Sequence, residues 1–178
     1  MRFSTRAVDL DERLEEGEPV TEYVARLARE KARVSADPGE LVLAADTTVA
    51  VGQTVLGKPR DEREARQMLR KLAGRAHQVA SGVALFDVDT DRLELEVVSS
   101  RVRIAEMSDE EIRWYVETGE PADKAGAYAI QGLGALFVEE IEGNYTNVVG
   151  LPLPATARLF RRLGFELLDF RDAAPDES

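Results

Sequence analysis

The segment 41–48 sets a carboxylate, Asp46, at the end of an apolar, strand-forming run. A run of this length and composition predicts a buried strand. Burying a neutral polar group without a partner costs roughly 2–7 kcal/mol, and burying a charge costs more. A second stretch, 124–132, sets the amide of Gln131 among small and apolar residues in a similar way. Both clusters are therefore candidates for contact with a ligand or a metal ion.

The composition restricts the class of protein. The 178 residues are 44% hydrophobic without an apolar run near twenty residues, which indicates one soluble domain with a sizeable core. The sequence has no cysteine, which excludes a disulfide scaffold, and no visible secretory signal, so we expect a cytoplasmic protein. A net charge of −11 disfavours binding to a nucleic-acid polymer. An anionic ligand would therefore need a local basic pocket.

Apolar residues recur at helical spacing over residues 20–35 and predict an amphipathic helix there. Lys31 lies on the apolar stripe of this helix, because it follows Leu27 by four residues and precedes Val34 by three. One interpretation is that its ammonium group extends past the edge of the core into solvent. The other is that it points into an interior cleft, and the spacing leaves both open.

Periodicity and turn residues predict eight strands and four helices. The predicted strands span 2–8, 41–49, 53–56, 77–86, 93–106, 127–131, 135–141 and 165–170, and the helices span 20–35, 61–73, 108–118 and 152–163. Because these elements mix without strict alternation, we expect an α/β fold, a single domain with a mixed, strongly bent central sheet flanked by helices. The domain is expected to cover residues 1–170, followed by a tail at 171–178.

Residues 52–58 match the first seven positions of a P-loop, but Pro59 stands where a hydroxyl residue is required. Residues 54–56 are also strand-like, so we reject a P-loop and expect a hairpin turn at 52–53. Lys58, between a glycine and a proline just before a helix, suits anion binding. A solvated lysine in a turn explains the same pattern equally well.

Three carboxylates, Glu12, Asp46 and Asp123, stand where a helix or strand runs into a loop. Each alone is compatible with a turn or cap residue. Two of them sharing a hard divalent ion such as Mg²⁺, beside lysines, would form a site for a polyphosphate. His77 is the one histidine of a chain without cysteine, so a conventional zinc site is not expected, and we predict a local cap or pair for its ring.

Six ordered motifs together resemble the signature of a known family. They are Tyr-Val-Ala-Arg-Leu-Ala-Arg-Glu-Lys-Ala at 23–32, Ala-Asp-Thr-Thr-Val at 45–49, Leu-Gly-Lys-Pro at 56–59, Gly-Arg-Ala-His-Gln-Val at 74–79, Asp-Lys-Ala-Gly-Ala-Tyr-Ala-Ile-Gln-Gly at 123–132 and Asn-Val-Val-Gly-Leu-Pro-Leu at 147–153. From about residue 3 to residue 164 the chain resembles the Maf family of nucleoside triphosphate pyrophosphatases. The resemblance implies an α/β fold shared with inosine triphosphate pyrophosphatases. It also implies metal-dependent hydrolysis of a nucleoside triphosphate to a monophosphate and pyrophosphate.

The resemblance assigns roles to individual residues. The motif at 123–132 resembles the branch of the family that acts on dTTP and UTP rather than the branch that prefers 7-methyl-GTP. Asp46 matches the proton acceptor, and Glu12 and Asp46 would hold a divalent metal, Mg²⁺ or Mn²⁺. Lys31 and Lys58 match basic pocket residues that would stabilise the developing pyrophosphate. The implied substrate contacts come from Thr47 and Gln131, at positions that influence base choice, and from Lys124.

The chain departs from the family pattern near its first residue. Family members carry a strand and a Ser-x-Ser-Pro-Arg-Arg loop farther upstream of the Asp-Glu pair than the ten residues that separate Met1 from Asp11. We therefore expect the first strand and two phosphate-binding arginines to be missing, which leaves the activity of this form open.

Alternatives to the pyrimidine pyrophosphatase remain. One is a catalytically impaired nucleotide-binding protein with a regulatory role in cell division, and another is a purine nucleotide pyrophosphatase of the same fold. The expected partners are a nucleoside triphosphate and a second copy in a homodimer, with no nucleic-acid polymer and no membrane.

Overall fold

A five-stranded sheet in the order β2-β1-β3-β4-β5 forms the centre of the computed structural model, which describes residues 3–170. The strands are β1 (Leu41–Val51), β2 (Thr54–Leu56), β3 (Ala76–Asp87), β4 (Arg92–Ile104) and β5 (Val138–Glu142). The helices are α1 (Val20–Val34), α2 (Glu62–Leu72), α3 (Asp109–Glu117), α4 (Tyr145–Val149) and α5 (Leu153–Leu163). The predicted tail at 171–178 lies outside the described residues.

One face of the sheet is covered by α1. Strand residues alternate between the two faces, and Ala50 and Ala80 share a buried cluster with Val24 and Leu27 of α1. A Cβ atom at Gly82 of β3 would lie 2.1 Å from the carbonyl oxygen of Val24. Glycine is therefore required where α1 crosses β3, and this close approach fixes the helix directly on the strand.

The opposite face carries the larger part of the core. Val49 and Val79 point to this side and join a buried cluster with residues of α2 and α3. Farther along β3, Val83 and Leu85 pack against α5. Helices therefore lie on both faces of the sheet, but they bury β1 fully only at residues 48–50. The rest of the strand is mostly half-buried, with Leu43 exposed, so the predicted buried strand is confirmed only in part.

Side-chain caps begin α2 and α3, and a glycine ends α5. Asp61 caps α2 because its Oδ1 atom accepts a hydrogen bond of 2.7 Å from the backbone N–H of Glu64. Ser108 and Glu111 form the reciprocal capping box of α3. Gly164 ends α5 with a left-handed backbone, at φ +89°. The hairpin between β1 and β2 is confirmed, since Val51 pairs with Thr54 across the two-residue turn.

The α/β single domain is confirmed, but the expectation of a mixed sheet is wrong. All four neighbouring strand pairs are antiparallel. Tight turns join β1 to β2 and β3 to β4, and such turns reverse the chain direction, whereas parallel neighbours need a crossover connection. The hairpins visible in the sequence thus already favoured an antiparallel sheet.

Three predicted strands are wrong. Residues 3–8 of the first one have no regular secondary structure, and residue 2 lies outside the described part of the chain. Residues 127–131 form a loop, since Gly126 and Ala127 have φ values of +70° and +62° that interrupt an extended backbone. Residues 167–170 form a 3₁₀ turn that stacks Phe170 against Phe160, with ring centroids 5.5 Å apart.

Two smaller differences concern residues 135–149. The predicted strand at 135–141 begins later, at Val138, because Leu133–Phe137 form a 3₁₀ helix. The short helix α4 was not predicted, since five residues are too few to show helical periodicity. Within residues 3–170, every helix is too short or too polar to cross a membrane.

Candidate functional site

An ammonium group held between two carboxylates marks the first part of the site. Lys31 Nζ lies 2.6 Å from Asp46 Oδ1 and 2.6 Å from Glu12 Oε1. The side chains of Lys31 and Asp46 are 19% and 11% exposed, whereas that of Glu12 is 52% exposed. Of the two interpretations of Lys31, the interior one is therefore correct. We call Lys31, Asp46 and Glu12 the acid–lysine cluster.

Helix α1 supplies Lys31 and also anchors the loop that carries Glu12. The hydroxyl of Tyr23 on α1 donates a hydrogen bond of 2.8 Å to the carbonyl oxygen of Glu12. One turn along, the guanidinium of Arg26 donates to the carbonyl oxygen of Arg13 at 3.1 Å. The position of Glu12 is thus set by two side chains of the same helix that presents Lys31.

Burial and charge shift the pKa values within the cluster. Burial raises the pKa of Asp46, and the hydrogen bond from Lys31 offsets this effect only in part. Burial alone would lower the pKa of Lys31, but hydrogen bonds to Asp46 and Glu12 outweigh it, so the pKa of Lys31 is raised. The lysine stays cationic, and Asp46 becomes a stronger base than an exposed aspartate.

A cleft of about 220 Å³ lies beside this cluster and contains the other predicted site residues. Asp46 and Thr47 are consecutive on β1, so their side chains point to opposite faces of the sheet. Thr47 faces the cleft, and Asp46 faces α1. The remaining wall includes Lys58, Asp123, Lys124, Tyr128, Gln131, Val148 and Gly150. The sequence-predicted residues are therefore brought together as two adjoining groups rather than one.

Lys58 connects the two groups electrostatically. Its charge acts to lower the pKa of Asp46 on one side and of Asp123 on the other. The backbone N–H of Gly126 donates a hydrogen bond of 3.0 Å to the carbonyl oxygen of Gly57, which ties the two lysine-bearing loops together. Lys124 pairs with its neighbour Asp123 at 2.6 Å. Two lysines therefore line the cleft of a chain that is acidic overall, and one of them is paired with Asp123.

The hydroxyl of Thr47 is already engaged in the protein. It donates to the carbonyl oxygen of Gly150 at 3.0 Å and lies 2.7 Å from Ser81 Oγ. With Ser81 as the donor of the second bond, one acceptor position of Thr47 remains for a ligand. The adjoining turn is held by Asn147, which is fully buried and donates to the carbonyl oxygen of Val79 at 2.9 Å. Thr47 thus shapes the cleft wall in addition to facing it.

The ring of His77 pairs with Tyr128, 51 residues farther along the chain, so the prediction of a local cap or pair is wrong. Its Nε2 atom lies 2.8 Å from the hydroxyl of Tyr128, which lines the cleft. Burial lowers the pKa of His77 to about 4, so the ring is neutral at physiological pH. His77 therefore supports the cleft wall from behind and has no exposed face for chemistry.

The donors for a metal ion are limited to a carboxylate pair. Among residues 3–170, no cluster of three or more His, Cys, Asp or Glu side chains is suited to hold a metal. Glu12 and Asp46 nevertheless converge on one cation, the ammonium of Lys31. Oxygen donors in this arrangement match the preference of Mg²⁺, which binds through one or two carboxylates and completes its shell with phosphates and water.

Two residues that hold the loop at 129–134 were not identified from the sequence. Tyr115 and Glu120 both contact this loop, which carries Gln131 on the cleft wall. An aromatic residue inside an amphipathic helix and a glutamate after a glycine are common patterns, so neither gave a signal. Their contacts become visible only when α3 and the loop are placed together.

Comparisons with known proteins identify close relatives. The family model described as "Maf-like protein" matches residues 1–163. Proteins named dTTP/UTP pyrophosphatase from two strains of Anaeromyxobacter dehalogenans are 55% and 57% identical over 169 residues, covering 94% of this chain and 86% of each relative. A protein of the same name from Myxococcus xanthus is 52% identical, covering 94% of this chain and 85% of the relative. The chain therefore belongs to the Maf family.

Proposed function

We propose that this protein hydrolyses nucleoside triphosphates, with dTTP and UTP as preferred substrates, to the nucleoside monophosphate and pyrophosphate. The observation that carries the proposal is the acid–lysine cluster next to a cleft with two further lysines. Relatives named dTTP/UTP pyrophosphatase, at 52–57% identity over most of the chain, support the choice of substrates.

The charges of the site suit a polyphosphate. A nucleoside triphosphate is strongly anionic, and the protein has a net charge of −11, so binding depends on local cations. Lys31, Lys58 and Lys124 supply three of them around the junction of the cluster and the cleft. In this proposal the triphosphate lies at that junction, and the base enters the cleft beside Thr47 and Gln131.

Glu12 and Asp46 would hold the divalent cation, Mg²⁺ or Mn²⁺. The fit rests on their convergence on a single positive charge, since carboxylates that share one cation are suited to share another. When bound, the metal would neutralise phosphate charge and polarise the phosphorus centre. Lys31 would then turn from the carboxylates towards the phosphates.

Asp46 is proposed as the general base. Its carboxylate lies in the acid–lysine cluster, at the proposed position of the triphosphate, where it would accept a proton from the attacking water. As the oxygen of that water bonds to phosphorus, the α,β-phosphoanhydride bond breaks and the proton passes to a carboxylate oxygen of Asp46. Lys31 and Lys58 stabilise the negative charge on the departing pyrophosphate.

The test is pyrophosphate release from dTTP, UTP, CTP, GTP and 7-methyl-GTP with Mg²⁺ or Mn²⁺. We expect turnover of dTTP and UTP above the others, and a loss of about 100-fold or more in kcat for Asp46→Asn, the range for removal of a general base. The exposed Glu139 on β5 provides a charge control, and Glu139→Gln should retain full activity.

Each outcome has a defined meaning. An Asp46→Asn variant that keeps more than a tenth of the activity would contradict the role of general base. Preferential turnover of GTP would replace the pyrimidine assignment with a purine pyrophosphatase. Binding of nucleotides by folded protein without turnover of any would contradict the enzyme and favour the nucleotide-binding regulator.

We also propose that the protein acts as a homodimer in the cytoplasm. The absence of cysteine is compatible with a reducing compartment, and nucleoside triphosphates are cytoplasmic metabolites. Leu136 and Trp114 are 70% and 45% exposed, and Trp114 packs on Phe137, so an apolar patch lies beside β5. Sedimentation of wild-type protein against Leu136→Glu tests the dimer, which the substitution should dissociate.

A further inference from the structure

The carboxylate of Glu120 accepts three hydrogen bonds, two from the loop at 129–134 and one from α3. Glu120 lies in a 3₁₀ turn, Glu120–Asp123, directly after α3. Its Oε1 atom accepts from the hydroxyl of Tyr115 at 2.7 Å and from the N–H of Gly134 at 2.9 Å. Its Oε2 atom accepts from the N–H of Leu133 at 2.8 Å.

Tyr115 completes the arrangement from the other end of the loop. While its hydroxyl donates to Glu120, it accepts a hydrogen bond of 3.0 Å from the backbone N–H of Ala129. The Tyr115 side chain is fully buried in the core between α3 and the sheet. The backbone is therefore tied on both sides of Gln131 to α3 and the turn that follows it, and we call Tyr115 and Glu120 the loop clamp.

Two glycines make these contacts sterically possible. A Cβ atom at Gly132 would lie 2.0 Å from Glu120 Oε2, and one at Gly134 would lie 2.5 Å from the hydroxyl of Tyr115. A side chain at either position would force the loop or the clamp side chain to move, which would break their hydrogen bonds. The loop clamp and the two glycines thus form one structural unit around Gln131.

Both clamp residues hold the required protonation state. Hydrogen bonds from Tyr115, Gly134 and Leu133 lower the pKa of Glu120 despite its partial burial. Burial raises the pKa of Tyr115. At neutral pH Glu120 is therefore an acceptor with both oxygens, and Tyr115 keeps the proton that it donates.

Gln131 itself has no comparable anchor. Its side chain lines the cleft, and within residues 3–170 its amide makes no hydrogen bond to the protein. An amide offers one donor end and one acceptor end. Uracil and thymine present an N3–H donor beside the O4 acceptor, whereas cytosine presents an N3 acceptor beside an amino donor. Because this amide can present either end by rotating, it discriminates the two edges only if its position limits which end reaches the base, and the backbone of the loop sets that position.

We propose that Tyr115 and Glu120 are positioning residues that fix the loop at 129–134, so that Gln131 discriminates uracil and thymine from cytosine. This inference rests on the proposed pyrimidine nucleotide function. It assigns no contact between the clamp and the substrate, because Tyr115 is buried and both clamp residues face the back of the loop.

The experiment compares Tyr115→Phe and Glu120→Gln with wild type. Phenylalanine keeps the ring but removes both hydrogen bonds of the hydroxyl, and glutamine sets an amino group against a backbone donor. We expect the ratio of kcat/KM for UTP to that for CTP to fall about tenfold, which corresponds to about 1.4 kcal/mol. The change should lie in KM, with kcat for UTP within about threefold of wild type. Glu117→Gln, exposed at the end of α3, is the matched control and should leave the ratio unchanged.

A double-mutant cycle tests whether the close contact between Gly132 and Glu120 positions the loop. Gly132→Ala alone should lower the UTP-to-CTP ratio, since its methyl group meets Glu120. In a Glu120→Ala background that obstacle is gone, so the added effect of Gly132→Ala should shrink to less than about twofold. Equal effects of Gly132→Ala in both backgrounds would contradict the clamp.

Hydrogen exchange separates this inference from the proposed function. The amides of Ala129, Leu133 and Gly134 should exchange faster in the clamp variants while those of α3 keep their protection. Faster exchange with an unchanged UTP-to-CTP ratio would overturn the positioning role.

If wild-type protein turns over no nucleotide, the proposed function fails, and the ratio of Kd values for the α,β-imido analogues of UTP and CTP replaces the kinetic ratio. A clamp variant that leaves this ratio at the wild-type value, or a wild type that binds neither analogue, would overturn the inference.

Discussion

Lys31 on α1 and Asp46 on β1 form an ion pair across the junction of helix and sheet, with 2.6 Å between Nζ and Oδ1. The pair is mostly buried, and Glu12 adds a second carboxylate to the same ammonium. Removal of one member would therefore leave an uncompensated charge in a poorly solvated position. A substitution of Lys31 should therefore affect both the stability of the fold and catalysis, because the same lysine would contact the phosphates of the substrate.

Substitution of Lys31 by methionine should destabilise the protein and abolish turnover. We expect the free energy of unfolding to fall by about 2–4 kcal/mol, since the carboxylate of Asp46 loses its cation. Urea unfolding at pH 7.5 measures this change. Lys71→Met, at an exposed position of α2, is the matched control and should change the free energy by less than about 0.5 kcal/mol.

A compensating change tests the origin of that loss. In Lys31→Met combined with Asp46→Asn, no buried charge remains, so we expect the double variant to be more stable than Lys31→Met alone. Both variants should be inactive. A double variant less stable than either single variant would show that packing of the lysine stem, rather than charge, dominates.

The position of Lys31 shows which part of the candidate site could be predicted from the sequence and which part could not. Helical spacing predicted that Lys31 lies on the buried stripe of its helix, and the apolar composition of the strand predicted that Asp46 is buried. Neither pattern could show that the two side chains meet. Their contact depends on how α1 crosses β1 and β3, which Gly82 allows by its close approach to Val24. Such packing distances are set by the whole sheet and leave no local signature in the sequence.

The division of the candidate site into two groups of residues also depends on how the elements pack, and only part of it could be predicted from the sequence. The sequence shows that Asp46 and Thr47 are neighbours, and strand alternation separates their side chains. Residues 127–131, which include Gln131, were predicted as a strand. Tertiary contacts with Tyr115 and Glu120 override that local preference, and only the assembled fold contains them.

Thr47→Val should loosen the wall of the cleft. Valine keeps the shape of threonine but removes the hydroxyl that donates to Gly150 and contacts Ser81. We expect a loss of about 1 kcal/mol in stability and a several-fold rise in KM for UTP, because Gly150 also lines the cleft. Thr47→Ser retains the hydroxyl and should stay within about 0.5 kcal/mol of wild type by thermal and urea unfolding.

The pH dependence of stability should carry the signature of His77. Its pKa falls from 6.5 in the unfolded chain to about 4 in the folded protein, so between these values the unfolded state binds more protons. The stabilisation is complete above pH 6.5 and is lost as the pH falls towards 4. We expect wild type to lose about 2 kcal/mol more than His77→Gln between pH 7.5 and pH 4.5.

His77→Gln is suitable because glutamine can also reach Tyr128 but does not titrate. Urea unfolding of both proteins across this pH range gives the difference in slope, which isolates His77 from the carboxylates common to both. Parallel slopes would mean that the imidazole gains a proton in the folded state as readily as in the unfolded chain, contrary to its burial against Tyr128.

Gly126 and Gly52 provide a matched pair for the last prediction. Both have a left-handed backbone, at φ +70° and +60°, so alanine at either position carries a similar backbone penalty of about 1–2 kcal/mol. A Cβ atom at Gly126 would also lie 2.9 Å from Val49 Cγ1, whereas Gly52 has no atom within 4 Å of the corresponding point. Gly126→Ala should therefore be less stable than Gly52→Ala by about 1–3 kcal/mol, the usual effect of overpacking.

The Gly126→Ala substitution should also reduce turnover, because Gly126 ties the loop of Lys124 to that of Lys58. Equal stability of the two variants, measured by urea unfolding, would show that the contact with Val49 relaxes without strain.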